Sequence, residues 1–335
     1  MKKEQRKGKE RLIGYTPFGD GDNPYTANMK RILGRFGRVV APPTLRQLAN
    51  PKGWRRFDLM VFNWIENEFV SIEGRVKVYP IARQIIWILA CRLFATKTVF
   101  VRHNIVPHAT AVKNARLVQR IVDAFEKIFD VVWVHSGHYA VNGRRYVPHP
   151  LYRRLDAGHW PVNLRRPEGP YYVMFGRILP YKNIDSLLAV LSPDVRLVIC
   201  GAGPDREYLI KLRSLAGERV VLHADFLSEA DAQCVVAGSC GLVVCSNETD
   251  MIVSGSVIFG LSMGVPVLTV NSPFSRWLID RYPGGGVHDY SSIENLSLAM
   301  RDGKAHERPV FNAVLVNAFS DDEVAKAMSS SLADR

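Results

Sequence analysis

Two cations stand close together in F-G-R-I-L-P-Y-K, where Arg177 and Lys182 follow a short apolar run that ends at Gly176. Such a run reads as a parallel strand, and ligands of open α/β sheets lie beyond the carboxyl ends of the strands. An arginine fork and a lysine point charge placed there can clamp a diphosphate. A second anion-binding signal comes later in the chain. Ser254, Gly255 and Ser256 open a helix whose body (Val257, Ile258, Phe259, Leu261) is apolar almost all round; Gly264 ends it and Pro266 follows. Serine caps helices, glycine lets a ligand approach the backbone, and unpaired N–H groups at a helix start suit a phosphate. Between these signals, C-G-A-G-P places Gly201 and Gly203 in a close turn before a helix. The third glycine of a dinucleotide fingerprint is missing, so a nicotinamide cofactor is not expected; the turn either packs a base or ribose or is a plain turn.

Another group of residues could move a proton. Glu66 follows an apolar strand-like run, His103 and His108 follow another, and Asp20 and Asp22 lie in a glycine-rich loop after the first. A carboxylate or histidine in such a place can take a proton from a hydroxyl. Glu66 ranks first as the base, Asp22 second and His103 third. His103 suits ligand positioning better than proton transfer, and Glu66 could equally be a plain exposed charge.

The elements that must hold these residues alternate. Strands are predicted over 11–16, 38–41, 57–64, 98–101 and 131–135, with helices over 25–36, 79–95 and 113–128. A segment dense in Arg, Pro and Gly, 151–170, reads as a linker. Strands then resume at 171–176, 195–201, 220–223, 241–246 and 265–270, with helices at 183–191, 205–216, 229–237, from 254 and at 274–281. This pattern predicts an α/β protein: two doubly wound Rossmann-like domains facing a cleft, the first over 1–150 and the second over 171–335. The run 79–95 is the most apolar helix. Arg83 and Arg92 interrupt it, so it falls short of the ~20 residues that span a bilayer. Its first reading is a core helix. The second is an interfacial helix that inserts Trp87, Leu93 and Phe94, with Arg75, Lys77, Arg83, Arg92 and Lys97 nearby.

Composition narrows the classes. The chain has 335 residues, 47% apolar and 23% charged, which is globular and long enough for two domains. Its net charge of +12 points to an anionic partner. The cations are spread along the chain and no nucleic-acid motif occurs, so nucleic acid is not the expected partner. Five cysteines without a C-x-x-C pair read as reduced, buried thiols of a cytosolic protein, and no signal-type apolar segment follows the basic start.

F-G-R-x-x-x-x-K, a strand with G-x-G-P, and an S-G-x helix ending in G-V-P-V together resemble the nucleotide-binding half of GT-B glycosyltransferases, over 171–270. The resemblance implies a sugar-nucleotide donor in that half, held at its diphosphate by Arg177 and Lys182, and an acceptor in the other. One departure stands out. The commonest retaining branch carries two glutamates eight apart here, and the matching positions are Met251 and Phe259. Glu248 and Asp250 are nearby carboxylates that could take over ribose binding. Further motifs, N-P-Y (Asn23 to Tyr25), W-x-E (Trp64 to Glu66), H-N-x-x-P-H (with Asn104) and S-G-S-x-x-x-x-L-S, make the chain similar to the xanthan-type glycolipid β-mannosyltransferases. That likeness implies inverting transfer of mannose from GDP-mannose to a polyprenyl-diphosphate-linked oligosaccharide in exopolysaccharide assembly, at the cytosolic face of the inner membrane. It implies no metal, since Asp20-Gly21-Asp22 lies in the wrong half for the donor, and no cofactor besides the nucleotide sugar. The rival readings are a retaining GT-B hexosyltransferase, a GT-B sugar-nucleotide epimerase, a basic nucleic-acid-binding protein and an inactive scaffold.

Overall fold

The computed structural model describes residues 10–19, 23–50, 55–71, 74–107, 112–155, 159–246, 251–303 and 313–333. The chain divides into two compact units. One is Met1–Pro150 with Asp250–Ile252 and Asp321–Arg335; the other is Leu151–Thr249 with Val253–Ser320.

The first unit runs β1 (Leu12–Thr16), α1 (Pro24–Leu33), β2 (Arg38–Val40), α2 (Leu45–Leu48), β3 (Phe57–Asn63), α3 (Val78–Phe94), β4 (Ala95–Arg102), α4 (Val112–Phe125), β5 (Val131–Val134) and β6 (Arg145–Tyr146). Its strands pair in the order β2-β1-β3-β4-β5-β6, all parallel. β3 shows why: apart from Asp58, every one of its residues is buried, as a strand covered on both faces requires. Asp58 stays at the edge of the core and accepts the Leu12 N–H at 2.8 Å. Asn23 caps α1 by accepting the Tyr25 N–H, Pro24 fixes its first turn, and Met29, Ile32 and Leu33 form its buried stripe. The strand order reverses direction between β1 and β3. That is the topological switch point, and ligands of such sheets lie beyond the strand ends at this place, here Thr16 and Asn63.

α3 corrects its first sequence reading. Only Gln84, Ile88 and Cys91 are buried. Val78, Tyr79, Ile86, Leu89 and Leu93 are exposed, Leu93 by 81%. Total hydropathy placed this helix in the core, yet a single stripe of it meets the rest of the unit. Of the residues named for membrane insertion, only Leu93 stands out on the surface. The Trp87 indole instead donates to Pro43 O at 2.8 Å and packs edge-on against Phe62.

The second unit runs β7 (Tyr172–Phe175), α5 (Ile184–Val190), β8 (Leu197–Cys200), α6 (Arg206–Leu215), β9 (Val220–His223), α7 (Glu229–Ala237), β10 (Gly241–Val244), α8 (Gly255–Met263), β11 (Val267–Val270), α9 (Pro273–Arg281), β12 (Val287–Tyr290), α10 (Ile293–Asp302) and α11 (Ala313–Ala318). Its parallel sheet has the order β12-β11-β10-β7-β8-β9. Alternate residues of the strands feed two cores. Val173, Val198, Leu242 and Val244 face a cluster with Val257, Ile258 and Leu261. Tyr172, Met174, Ile199 and Val243 face another with Leu187, Leu212 and Leu296. Here the switch point lies between β7 and β10.

Residues 151–155 and 159–170, read from sequence as a linker, pack on this second unit. Tyr152 N donates to Ser262 Oγ at 2.9 Å, Leu155 N donates to Gln233 Oε1 at 2.8 Å, and Leu164 is buried. The last helix, α12 (Asp321–Ala333), belongs to the first unit. Arg31 pairs with Asp321, and the buried Trp133 indole donates to Ser331 Oγ at 2.8 Å.

Candidate functional site

In the second unit two of the expected anion-binding residues, Lys182 and Ser256, converge on Gly176. Directly after β7, Gly176 takes φ +111°, a conformation that L side chains rarely adopt. A Cβ built there would lie 2.8 Å from Lys182 Nζ and 4.0 Å from Ser256 Oγ. The ammonium and the hydroxyl therefore meet over the glycine at the mouth of the switch point. Lys182 ends a single 3₁₀ turn, Pro180–Lys182. Asn183, in the left-handed conformation, stops that turn and donates from Nδ2 to Cys245 O at 3.2 Å, just past β10. One amide thus ties the loop carrying Lys182 to the strand on the other side of the crevice.

Lys182 sits in this place without a carboxylate partner among the described residues. Burial and the neighbouring Arg177 bring its ammonium down to about 8, against a smaller upward pull from Cys200. Among the described residues, neither Lys182 nor Arg177 has a carboxylate partner. A buried ammonium that no described carboxylate neutralises costs stability unless a ligand supplies the charge, whereas the exposed Arg177 keeps its water.

The start of α8 adds hydrogen-bond donors. Ser254 Oγ accepts the Val257 N–H at 3.4 Å and its carbonyl accepts the Ile258 N–H. Among the described residues, the N–H groups of Gly255 and Ser256 have no partner. A Cβ on Gly255 would meet only Tyr152 Oη, at an ordinary 3.5 Å. Among the described residues nothing requires a glycine there, and a glycine leaves the backbone open to close approach of a ligand. Gly201 and Gly203 differ in this respect. A Cβ on Gly201, at φ +135°, would lie 2.5 Å from Gly176 O, and one on Gly203 would lie 2.9 Å from Leu209. Both are needed to pack the loops after β7, β8 and β9 together, through Gly176 N to Cys200 O, Gly201 N to His223 O and Gly203 N to Ala224 O. They shape the cradle; their own packing accounts for both glycines.

The positions where glutamates were sought are otherwise occupied. Phe259 is buried against Phe175, ring centroids 4.8 Å apart, and against Tyr152. Met251 forms an antiparallel bridge with Asn104. Asp20, Asp22, His108, Glu248 and Asp250 lie outside the described residues.

In the first unit a polar cluster fills the ends of four neighbouring strands. Asn63 Nδ2 donates to Thr16 O at 3.0 Å, which bridges β1 and β3 at the switch point. His103 Nε2 lies 3.1 Å from Asn63 Oδ1, and Tyr25 Oη lies 2.8 Å from His135 Nε2. Trp64 stacks on His103 at 4.4 Å, and Tyr25 packs against His103, His135 and His149. Burial holds all three imidazoles neutral: His103 well below its usual value, His135 down to about 4 and His149 down to about 3. Arg102 fastens the following loop by donating to Asn104 O and Ile105 O, and is itself paired with Asp123 and Glu126. Sequence reasoning named Tyr25, His103 and Asn104. It missed Asn63, His135 and His149, which are far apart in the chain and meet through strand order alone.

Glu66 is fully buried in the 3₁₀ turn after β3, which removes the reading of a plain exposed charge. Among the described residues, neither carboxylate oxygen has a hydrogen-bond partner. Burial pushes the carboxyl up to about 7, against opposing pulls from its own backbone N–H and from Arg102. A carboxyl poised near neutral pH is suited to general-base work. His103, whose conjugate acid is too acidic to keep a proton near pH 7, suits hydrogen bonding better.

No protein-family model and no curated protein matches the chain by sequence. Its fold does have counterparts among solved structures. HepE from Anabaena, solved in complex with UDP-glucose, superposes with a TM-score of 0.62 at 11% identity, over 97% of this chain and 99% of that one. AviGT4, a glycosyltransferase involved in avilamycin A biosynthesis, gives 0.55 at 13% identity over 96% of each chain. Sucrose-phosphate synthase from Thermosynechococcus elongatus gives 0.58 at 16% identity, over 82% of this chain and 72% of that one. At such identities the likeness establishes the fold, the two-domain α/β architecture termed GT-B.

Proposed function

We propose that this GT-B chain is a glycosyltransferase that moves a hexose from a nucleotide sugar to a hydroxyl of an acceptor glycan. The observation that carries the reading is the buried Lys182 ammonium, which meets Ser256 at the open start of α8 over Gly176 and has no carboxylate partner among the described residues. A donor diphosphate supplies the missing negative charge. The acceptor oxygen attacks the anomeric carbon, and the bond from that carbon to the diphosphate oxygen breaks. The electron pair stays on the diphosphate, where Arg177, Lys182 and the α8 N–H groups stabilise it. The acceptor's proton passes to Glu66. The reading needs no metal, because these cations and dipoles do the work of charge neutralisation.

The finer form of the proposal is inverting transfer of mannose from GDP-mannose to a polyprenyl-diphosphate-linked oligosaccharide in exopolysaccharide assembly, on the anionic cytosolic face of the inner membrane. The motifs shared with glycolipid β-mannosyltransferases support it. So does the exposed stripe of α3, with Arg75, Lys77 and Arg83 close by in sequence. No helix among the described residues is long and apolar enough to cross a membrane. The UDP-glucose bound by HepE favours a second reading in which the donor is a UDP-sugar. A thermal-shift panel of GDP-, UDP-, ADP- and TDP-sugars separates the two, because a ligand stabilises in proportion to its binding to the folded state. Stabilisation by one nucleotide class, lost in R177A, is the expected result. No stabilisation by any class, or an undiminished shift in R177A, refutes the proposal.

A further inference from the structure

The hydrogen bonds around Asn63 fix more than a position. The Thr16 carbonyl can only accept, so the Asn63 atom facing it at 3.0 Å is the amide nitrogen, and Oδ1 faces the other way. Oδ1 can only accept as well. The His103 Nε2 that lies 3.1 Å from it must therefore carry the ring proton. His103 is neutral, so Nδ1 holds a lone pair. His135 does not compete for the amide in this way. Its Nδ1 donates to Val147 O at 2.8 Å, so its Nε2 is bare and accepts from the Tyr25 hydroxyl at 2.8 Å; that hydroxyl also lies 3.3 Å from Asn63 Oδ1, where it too can only donate. Among the described residues nothing bonds His103 Nδ1. The imidazole is stacked on Trp64, and the residue as a whole is 6% exposed.

We propose that Asn63 is a positioning residue: by bridging the ends of β1 and β3 it holds His103 as the Nε2–H tautomer, so that Nδ1 stands as a hydrogen-bond acceptor for a substrate hydroxyl. Under the function proposed above, on which this step rests, that hydroxyl belongs to the acceptor glycan. The loop bearing His103 is built to hold such a setting. Arg102, 1% exposed, grips the carbonyls of Asn104 and Ile105, and Ile252 N donates to His103 O at 3.1 Å. Among the described residues the groups packed against the ring are Tyr25, Trp64 and His135, with His149 also disfavouring its protonation; none is a carboxylate that would draw a proton onto Nδ1.

The test combines a spectrum that needs no substrate with a rate that does. The full chain is labelled with ¹⁵N-histidine, and the His103 signals are identified by their disappearance in H103Q. Wild type should show the Nε2–H tautomer at His103. N63L should lose that preference, with the His135 signals unchanged as evidence that the unit is folded. N63D retains an acceptor for Nε2–H but adds a negative charge, so His103 should begin to titrate at higher pH. Its Nδ1 then carries a proton at low pH and is freed as pH rises. For N63D, the ratio of its kcat/KM for the acceptor to that of wild type at the same pH should therefore be low in acid and approach one in base. A merely structural loss would not reverse with pH. An Nδ1–H tautomer in wild type, an N63L spectrum identical to wild type at His103, or an N63D defect independent of pH each overturns the proposal. Failure of the transferase reading would instead show as absent transfer in wild type, with the tautomer result standing.

Discussion

Donor affinity should fall with alkaline pH because of Lys182. In the empty site burial and Arg177 bring its ammonium to about 8 from the 10.5 of a solvated lysine. A diphosphate bound beside it favours the charged form and raises that midpoint again. Binding therefore takes up a proton as pH rises past 8, and affinity is complete below pH 8 and is lost as pH climbs through it. With a midpoint near 8, the charged fraction drops from roughly nine-tenths at pH 7 to roughly one-tenth at pH 9, so the dissociation constant of a nucleotide sugar should rise about tenfold over that range. The Arg177 guanidinium adds a second contact of its own, so binding weakens without vanishing. Calorimetry at pH 8 in two buffers of different ionisation enthalpy should show uptake of roughly half a proton per donor bound. K182M should bind weakly at every pH, with no proton uptake. The same variant should be more stable than wild type at pH 7, because the cost of the uncompensated cation is present below pH 8 and fades only as pH rises towards 10.5. A wild-type affinity flat from pH 7 to 9, with no proton linkage, would refute the placement of Lys182 against the diphosphate.

Further outcomes follow from the same geometry. G255A should fold with an unchanged Tm and lose donor binding by about tenfold or more, as a Cβ intrudes on the ligand alone, whereas G201A should lower the Tm through its clash with Gly176 O; equal stability losses in both would remove the distinction. E66Q should lower kcat by about 10²–10⁴-fold and abolish a rate that rises with pH around a midpoint near 7. Because the Glu66 carboxyl sits above its solvated value, wild type should also lose stability as pH rises from 4.5 through 7, by about 3 kcal/mol at most, and E66Q should not; parallel pH–stability curves would count against the burial argument. Replacing Ile86 and Leu93, both exposed on α3, with glutamate should abolish flotation with anionic vesicles and leave the Tm within a few degrees; unchanged flotation would exclude this face.

Most of the elements were legible because both sheets are parallel and covered on both faces, which writes each strand as a short apolar run between helical stretches. The loop with Arg177 and Lys182 could be placed for the same reason: a strand end marks the ligand side in advance. Other features had no local signature. Asn63, His103 and His135 become neighbours only once β3, β4 and β5 take adjacent places in the sheet. The burial of Glu66 depends on packing around a 3₁₀ turn that nothing in W-I-E-N-E announces. On α3 the content of apolar residues was plain, but their division between a buried stripe and an exposed one was not. Asn183 could have been suspected, since asparagine directly after a short turn is a common left-handed stop.

The return of α12 to the first unit has a consequence for how the protein is made. Synthesis runs from the amino end, and the second unit has all of Leu151–Ser320 in hand while the first still lacks Asp321–Arg335. The earlier-synthesised half is thus the later one to be completed, and until the final turns leave the ribosome its Trp133 indole waits without Ser331. A nascent chain whose emerged part ends at Ser320, with α12 still inside the ribosome, should hold a protease-resistant carboxyl-proximal half and a labile amino-proximal one, the reverse of the order in which they were translated.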